Sequence, residues 1–362
     1  MNNRVTELLL ASLREVLAGE ELRSELIAAL EPKEWGELLK LAQQHNILPL
    51  LCDALTPHKA ILPREVFARL VGMTLVAEDR YELRVEVIAR LATVLAEAGI
   101  PLMLLKGYGI SRYYPVANHR TFSDVDIYNC GRIEEADRTL AEKLGVEIET
   151  DVHHHTKCVY KGVLIENHYD FVNTSAHSSD VRFERILKQE AAKDIRHIEV
   201  RGADVMLPSA TFNALFLMRH MAHHYAAERV SLRHLADWKQ FIEAEHTNVD
   251  WASVHRLYTE FNMKRFADAV TRLCVSHLGM RGDLIEGVER DEKLEQRILA
   301  DIIYAEFDEQ MPSRGFVRIV WWKIRRFVAN RWKHKLVYNE SWLRTFFHSA
   351  IGHLRKPHTI AH

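Results

Sequence analysis

The sequence predicts an α+β protein in which a mixed sheet, within residues 99–205, lies between helical N- and C-terminal regions. Two observations support this fold class. Short apolar or alternating runs at 102–105 and 124–130 have the length and pattern of strands. The segments on both sides place apolar residues at three- and four-residue spacing, the period of amphipathic helices. With 362 residues, the chain is long enough for two or three domains.

Residues 1–98 are predicted to form a helical N-terminal region. Leu9, Leu13 and Val16 show the helical spacing, and the longest predicted helix covers 65–98, with Gly99 as its stop. No catalytic pattern occurs in this region, so we expect it to have a packing and positioning role.

Residues 99–205 change character and predict a core unit of about a hundred residues, a normal domain size. Its two strands that meet at the Lys161-Gly162 turn form a predicted hairpin. In chain order the predicted elements are a strand at 102–105, helical turns at 108–114, a strand at 124–130, a helix at 132–144, a strand at 146–150 and the hairpin strands at 156–160 and 163–171.

The chain after this core is again predicted to be helical, as a domain over 206–312 and a basic, aromatic helical tail over 313–362. The predicted helices of the domain cover 210–226, 232–245, 251–278 and 292–307.

Composition excludes several classes of protein. The formal net charge of −2 gives the whole molecule no preference for nucleic acid. The four cysteines are far apart without a CxxC pair, which argues against a zinc ribbon or a disulfide scaffold and favours a reducing compartment. The first residues lack the pattern of a signal peptide, and no run reaches the roughly 18 apolar residues of a membrane span. We therefore expect a cytoplasmic protein, with attachment at the inner membrane face as an option.

Two aspartates begin the strand predicted at 124–130. Asp124 and Asp126 are two residues apart and share one face, whereas Val125 and Ile127 take the other face, which suits a core. Carboxylates crowded on one face repel each other unless a cation lies between them, and Mg²⁺ prefers a few carboxylates together with substrate phosphate oxygens. The alternative is a pair of half-exposed strand aspartates that bind nothing.

A third carboxylate strengthens the metal hypothesis. Glu166 lies in the middle of the strand predicted at 163–171, beside the apolar Ile165. An acidic residue in such a context is unfavourable unless it has a partner. If this strand lies beside the Asp124 strand, three carboxylates can hold two divalent ions, as in two-metal phosphoryl transfer.

Together these motifs resemble the DNA polymerase β-like nucleotidyltransferase superfamily, and within it an uncharacterised bacterial nucleotidyltransferase family. The resemblance covers roughly residues 30–275. Tyr108 stands where the family's turn has a second small residue. The elements that carry the resemblance are Lys106-Gly107, the loop 120–126, Glu166-Asn167-His168, the histidines His220, His223 and His224, and the segment 232–238.

The resemblance implies a nucleotidyltransferase-like mixed sheet and a metal-dependent attack of an acceptor on the α-phosphate of an NTP, with release of pyrophosphate. It implies two Mg²⁺ ions, with Mn²⁺ as the alternative, held by the catalytic carboxylates. The acceptor is left open among a sugar phosphate, another small molecule, a protein and an RNA end. The implied metal ligands are Asp124, Asp126 and Glu166, and the implied nucleotide-binding residues are Lys106, Gly107, Arg120, Ser123 and His168.

Two other functions compete with catalysis. One is a non-catalytic module of the same fold that binds a nucleotide or a partner, and the other is an RNA-binding protein that acts through its tail. Three clustered carboxylates favour catalysis, because an inactive scaffold has no physical need for them.

The histidines are ambiguous. We expect the run 153–155 at the surface of a loop, since consecutive residues alternate faces and cannot all bind one ion in a regular strand. His220 and His224 share a helix face, but Met221 rules out the HExxH zinc motif. Interdomain or substrate contact, structural zinc, and ordinary packing or surface positions all remain open for this pair.

The tail combines charge with aromatic rings. Residues 313–335 contain eight Lys or Arg and no Asp or Glu, interleaved with Trp321, Trp322, Phe327 and Trp332. This pattern fits a solvated basic helix with its aromatic rings in a core, a helix on an anionic membrane or a protein partner, or a nucleic-acid contact in which the rings stack on bases.

Overall fold

The structure is a computed structural model that describes residues 3–150, 154–174, 177–227, 229–307, 309, 311–312 and 314–340. Its strands are β1 (Met103–Leu104), β2 (Asp124–Tyr128), β3 (His155–Tyr160), β4 (Val163–His168), β5 (Arg196–Val200) and β6 (Ala203–Leu207). Its helices are α1 (Asn3–Ala18), α2 (Ser24–Ala28), α3 (Pro32–Gln44), α4 (Leu48–Leu55), α5 (Arg64–Glu97), α6 (Tyr108–Ser111), α7 (Ile133–Leu144), α8 (Ser178–Ala191), α9 (Ala210–Ala227), α10 (Leu232–Glu245), α11 (Trp251–Glu260), α12 (Lys264–Leu278), α13 (Glu292–Ile303), α14 (Phe316–Ala329) and α15 (Arg331–Val337).

The six strands form one mixed sheet in the order β3-β4-β2-β1-β6-β5. β2 pairs parallel with β4, and β1 pairs parallel with β6, whereas the other three pairs are antiparallel. Both hairpins turn through two residues with positive φ, Lys161-Gly162 and Arg201-Gly202. Such turns match the twist of the flanking strands, which explains why a glycine occupies the second position of each.

The two faces of the sheet differ in chemistry. Val125, Ile127 and Ile165 are almost completely buried in a core that also contains Leu91 of α5 and Leu140 of α7. Side chains alternate along a strand, so the intervening residues of β2 and β4 point to the opposite face. The alternation predicted for the Asp124 strand is confirmed, and it leaves the acidic side chains on the face that the helices α5 and α7 do not cover.

A larger core joins helices from both ends of the chain. Leu8 of α1 and Leu38 of α3 belong to the same buried cluster as Phe216 of α9, Trp238 of α10 and Phe266 of α12. The helices that precede the sheet therefore pack directly on those that follow it. Leu336 and Val337 at the end of α15 also belong to this cluster, so part of the basic tail is core.

The predicted α+β class is confirmed, as are the long helix at 65–98, the helix after Arg132 and the hairpin around Lys161-Gly162. The predicted strand at 146–150 is wrong. It is reduced to a single bridge between Glu149 and Lys157, on the edge of β3 opposite β4, because only one residue of the segment comes into register.

Two helix predictions were too long. The predicted helix at 251–278 is two helices, because Asn262 adopts a left-handed φ of 56° and turns the chain between α11 and α12. The predicted helix at 292–307 ends at Ile303. Helix α8 and the β5–β6 hairpin were not predicted. Residues 341–362 of the predicted tail lie outside the described residues. Within the described part of the chain, no helix is long and apolar enough to cross a bilayer.

Candidate active site

The three predicted carboxylates meet on the face of the sheet that the helices leave uncovered. In the parallel pairing of β2 with β4, Asp126 lies directly beside Glu166, and Asp124 precedes Asp126 by one pleat on the same face. Asp126 is buried, whereas Asp124 and Glu166 are partly exposed. The predicted adjacency of the two strands is therefore observed. Burial, followed by the charges of Asp126 and Asp124, raises the pKa of Glu166.

Lys106 follows β1 and reaches the same face. Its Nζ lies 3.0 Å from Asp126 Oδ1 and donates a hydrogen bond to His220 Nε2 at 3.1 Å. Burial lowers the pKa of Lys106, but the charges of Asp126, Asp124 and Glu166 and the hydrogen bond to Asp126 together outweigh it, and the net shift is upward. In the same way, burial raises the pKa of Asp126, and Lys106 and His168 more than offset this and lower it. The pair is therefore a buried ion pair at the centre of the site.

Gly107 connects Lys106 to helix α6. Its φ of +46° lies in the region that favours glycine, and a Cβ at this position would lie 3.3 Å from the Phe122 ring. The turn therefore needs a residue without a side chain, although Tyr108 follows it directly. This tight turn brings the backbone at Gly107 next to the Asp124 strand, where Gly107 and Asp124 line one cavity.

Ser123 and Arg120 occupy the loop before β2. Ser123 Oγ donates to Asp124 Oδ1 at 3.1 Å and so orients that carboxylate. Arg120 is buried and donates from Nε and Nη2 to the two oxygens of Asp237, at 2.9 and 2.6 Å. Burial raises the pKa of Asp237, but the charge and hydrogen bonds of Arg120, together with the charge of Arg233, outweigh this and lower it to about 2. The structure thus places Arg120 at the wall of the site with its guanidinium held by a carboxylate.

The prediction that the histidine run at 153–155 lies on a loop surface is wrong for the two residues that the structure describes, because β3 begins at His155 and pairs it with His168. His155 is buried and His154 is partly buried. Burial, then His155, lowers the pKa of His154 to about 2, and burial, then His168, lowers that of His155 to about 3. Both rings are therefore neutral and available as ligands.

The residues present fit a divalent cation. Ligand atoms of Asp126, Glu166 and His168 all lie within 4.8 Å of one another. Carboxylate oxygens suit Mg²⁺ and Mn²⁺, and an imidazole nitrogen favours Mn²⁺ of the two. Like charges this close need a counter-charge, which Lys106 supplies for Asp126 at 3.0 Å and Lys157 supplies for Glu166 at 3.4 Å.

A second cavity, of about 590 Å³, adjoins the carboxylates. Arg69, Arg80 and Arg84 of α5 line it together with Arg233 of α10, and Ser123 lines both this cavity and the one that contains Asp124. None of the described residues in its wall is an aspartate or glutamate. Arg69, Arg80 and Arg84 are not among the residues predicted from the sequence, although their spacing of eleven and four residues along the predicted helix places them on one face.

The predicted histidines of α9 also border the site. His220 accepts a hydrogen bond from Lys106, and His224 Nε2 lies 3.2 Å from His220 Nε2. His223 instead contacts the hydroxyl of Tyr338 at 3.1 Å. Burial, followed by the charge of Lys106, lowers the pKa of His220 well below its usual value, so the ring stays neutral beside the ammonium group.

The model of the uncharacterised nucleotidyltransferase family matches residues 31–279 of the chain. The chain belongs to this family. Family membership makes this protein a nucleotidyltransferase, in agreement with the predicted enzyme class. The match contains the sheet, the three carboxylates, the Lys106-Gly107 turn and helices α9 and α10.

The solved structures that are similar to this nucleotidyltransferase are remote. A crystal structure of ANT(2″)-Ia in complex with adenylyl-2″-tobramycin has a TM-score of 0.37 and 14% identity, over 51% of this chain and 99% of that one. A nucleotidyltransferase-like protein from Paracoccidioides brasiliensis has a TM-score of 0.33 and 14% identity, over 54% and 92%. A tRNA-processing enzyme has a TM-score of 0.27 and 16% identity, over 75% and 80%. No curated protein sequence matches the chain.

Proposed function

We propose that the protein transfers a nucleoside monophosphate from an NTP to an acceptor in a reaction that depends on divalent cations. The observation that carries this proposal is the register of β2 and β4, which sets Asp126 beside Glu166 with Asp124 on the same face. A nucleotidyltransferase needs a place where phosphate and metal meet. Asp126 and Glu166 on this face are the only carboxylates among the described residues that belong to a candidate metal cluster.

In this proposal Asp124, Asp126 and Glu166 hold two Mg²⁺ ions or, alternatively, Mn²⁺. Bound ions of this kind neutralise the charge of the phosphate oxygens and polarise the α-phosphorus for attack. Lys106 keeps Asp126 ionised and in place. Ser123 orients Asp124 through its hydrogen bond. His168, whose Nε2 lies 3.0 Å from Asp126 Oδ1, positions the same carboxylate from the other side.

The bond changes of the proposed reaction balance as follows. An acceptor hydroxyl oxygen forms a bond to the α-phosphorus, and the bond between that phosphorus and the bridging oxygen breaks. Pyrophosphate leaves with the bonding electrons. The hydroxyl proton passes to Glu166 and then to solvent. The acceptor class stays open among a sugar phosphate, another small molecule, a protein and an RNA end.

The arginine-lined cavity suits the phosphates of the NTP. Arg84 donates only to backbone oxygens among the contacts found in the described chain, those of Ser123 and Arg80. Arg233 Nη1 lies 3.6 Å from Asp237 Oδ2, and Arg120 donates to the same carboxylate. Two guanidinium groups therefore face one carboxylate. An excess of half-buried positive charge is favourable when an anion binds beside it. We therefore assign to Arg84 and Arg233 much of the neutralisation of the phosphate charge, since Arg120, an implied nucleotide-binding residue, is already paired with Asp237.

The test is a calorimetric titration of each NTP into the protein, with and without Mg²⁺. We expect binding that needs Mg²⁺ and that weakens by about 10-fold or more in Asp124→Asn, since a ligand of the metal–phosphate complex is lost. Asp124 is partly exposed at the edge of the site, unlike the buried Asp126, so the fold should survive the change. Asp283→Asn, at a side chain that is 72% exposed, is the matched control.

Transfer itself is followed with NTP labelled on the α-phosphate, incubated with an extract of small molecules, proteins and RNA. Label that enters an acceptor fraction in wild type and not in Asp124→Asn supports the proposal. NTP binding that is indifferent both to Mg²⁺ and to Asp124 would rule out the metal-dependent mechanism and favour the non-catalytic binding module.

A membrane contact is supported by helix α14. Three apolar side chains at helical spacing are largely in solvent: Val317 is 78% exposed, Trp321 62% and Val328 53%. The helix also carries basic side chains, and residues 313–335, which include it, contain no Asp or Glu. A basic helix with an exposed apolar face is the form that lies in the interface of anionic membranes. We propose that α14 holds the enzyme at such a surface.

This contact is tested by flotation of the full chain with vesicles of anionic and of neutral phospholipid. We expect binding to the anionic vesicles, and at least about a 10-fold loss of binding in Val317→Ser/Trp321→Ser, because about 25 cal/mol is lost for each Å² of apolar area no longer buried. Ile61→Ser, an exposed apolar residue of the N-terminal region that is 51% accessible, is the control. Equal flotation of all three proteins, or none on anionic vesicles, would contradict the contact.

A further inference from the structure

A cluster of imidazoles lies at the edge of the site described above. His154 and His155, at the start of β3, face His168 at the end of β4, with ring centroids 4.3, 5.1 and 5.6 Å apart. One nitrogen from each ring lies within 4.8 Å of the others. The backbone fixes this arrangement, because the carbonyl oxygen of His154 accepts hydrogen bonds from the amides of residues 169 and 170, which follow β4.

The cluster contains ring nitrogens that nothing in the described chain satisfies. Nδ1 of His154 and both ring nitrogens of His155 are buried and have no hydrogen-bond partner among the described residues. Nε2 of His155 lies 3.5 Å from Glu166 Oε1, beyond normal hydrogen-bond distance but oriented toward a carboxylate. Buried polar atoms without partners are rare and unfavourable, so they indicate a missing ligand.

The surroundings of His168 point to the same conclusion. Its Nδ1 lies 3.2 Å from the carbonyl oxygen of Asp170, which can only accept, so Nδ1 donates a hydrogen bond there. Its Nε2 faces the site, 3.0 Å from Asp126 Oδ1 and 3.9 Å from Glu166 Oε2. A histidine that donates one N–H to a carbonyl and presents its other nitrogen is also the usual arrangement of a metal ligand.

We propose that His154, His155 and His168 form a binding site for one first-row transition ion of the Zn²⁺ class, with Glu166 as its carboxylate neighbour. Three imidazole nitrogens suit Zn²⁺ and related ions and do not suit Mg²⁺, which prefers oxygen. The site therefore uses nitrogen ligands, whereas Asp124 and Asp126 offer only oxygen, although the two sites share Glu166 and His168. Its metal binding can be measured directly and does not depend on the proposed nucleotidyl transfer.

The test is equilibrium dialysis of the untagged full chain against Zn²⁺ in the presence of a weak chelator, which removes ions from other sites among the 21 histidines. We expect one tightly bound Zn²⁺ per chain, and a loss of affinity of at least about 100-fold in His154→Ala and in His155→Ala. Replacement of Zn²⁺ by Co²⁺ should give the visible absorption of a nitrogen-bound ion in wild type only. His197→Ala is the control, because that ring is 58% exposed and belongs to β5.

Circular dichroism and thermal unfolding establish that the variants are folded, and His155→Asn provides a second, smaller change. Absence of stoichiometric Zn²⁺ from wild type, or retention of Zn²⁺ in both His154→Ala and His155→Ala, overturns the proposal. The proposal is also overturned if Glu166→Gln loses Zn²⁺ while His154→Ala and His155→Ala both keep it, because the ion would then be bound by the carboxylates. Titration of the same samples with NTP and Mg²⁺ separates this outcome from failure of the proposed function.

Discussion

Asp126→Asn is expected to abolish nucleotidyl transfer and to destabilise the protein at the same time. The change removes a proposed metal ligand, for which we expect at least about a 100-fold loss of activity. It also leaves Lys106, whose side chain is 16% exposed, without the carboxylate 3.0 Å away. An uncompensated charge in such a position costs about 3 kcal/mol of unfolding free energy. Urea unfolding and label transfer from an NTP measure the two effects separately.

The double variant Lys106→Met/Asp126→Asn distinguishes the two causes. Removal of both charges should restore most of the lost unfolding free energy, since neither partner is then buried alone, but should not restore activity. Asp124→Asn is the matched comparison, because it changes a carboxylate of the same strand that lies outside this ion pair. Full stability of Asp126→Asn, or recovery of activity in the double variant, would contradict the roles given to Lys106 and Asp126.

Asp180→Ala is expected to destabilise the protein by about 3–5 kcal/mol. Arg219 of α9 donates from Nε and Nη2 to Asp180 Oδ1 at 2.9 and 2.6 Å, and the two side chains are 1% and 2% exposed. The same guanidinium donates to the carbonyl oxygen of Val337 and stacks over the Tyr338 ring, 4.5 Å from its centroid. The pair therefore joins α8, α9 and the end of α15, and its loss leaves a buried guanidinium without a counter-charge.

Chemical denaturation of Asp180→Ala measures this effect. The control is Asp204→Ala, which removes the carboxylate of an exposed pair with His197, worth less than about 1 kcal/mol. Arg219→Met/Asp180→Leu, in which both charges are replaced by apolar side chains, should recover most of the stability. Equal midpoints for Asp180→Ala and Asp204→Ala would show that the buried pair has no structural role.

Local pattern was sufficient for much of the fold and for the carboxylates. The helical period over 65–98, the Gly-containing turn at 161–162 and the alternation at 124–127 are properties of neighbouring residues, so the sequence predicts the corresponding elements. Glu166 could be identified because a carboxylate between apolar strand residues needs a partner wherever the strand lies. The wrong helix prediction at 251–278 also has a local cause. The apolar spacing of this segment is continuous, but Asn262 adopts a left-handed φ and divides it into two helices.

The sequence by itself thus determined the α+β class, the faces of the strands and the residue types of a metal–phosphate site. Only the tertiary structure decided which distant groups meet. The pairing of His155 with His168 follows from the hairpin register, which turned an expected surface run into a buried cluster. The pairing of Arg120 with Asp237, 117 residues away, depends on how α10 packs against the loop before β2. Side-chain periodicity carries no information about such contacts, because register and helix packing are set by the whole core.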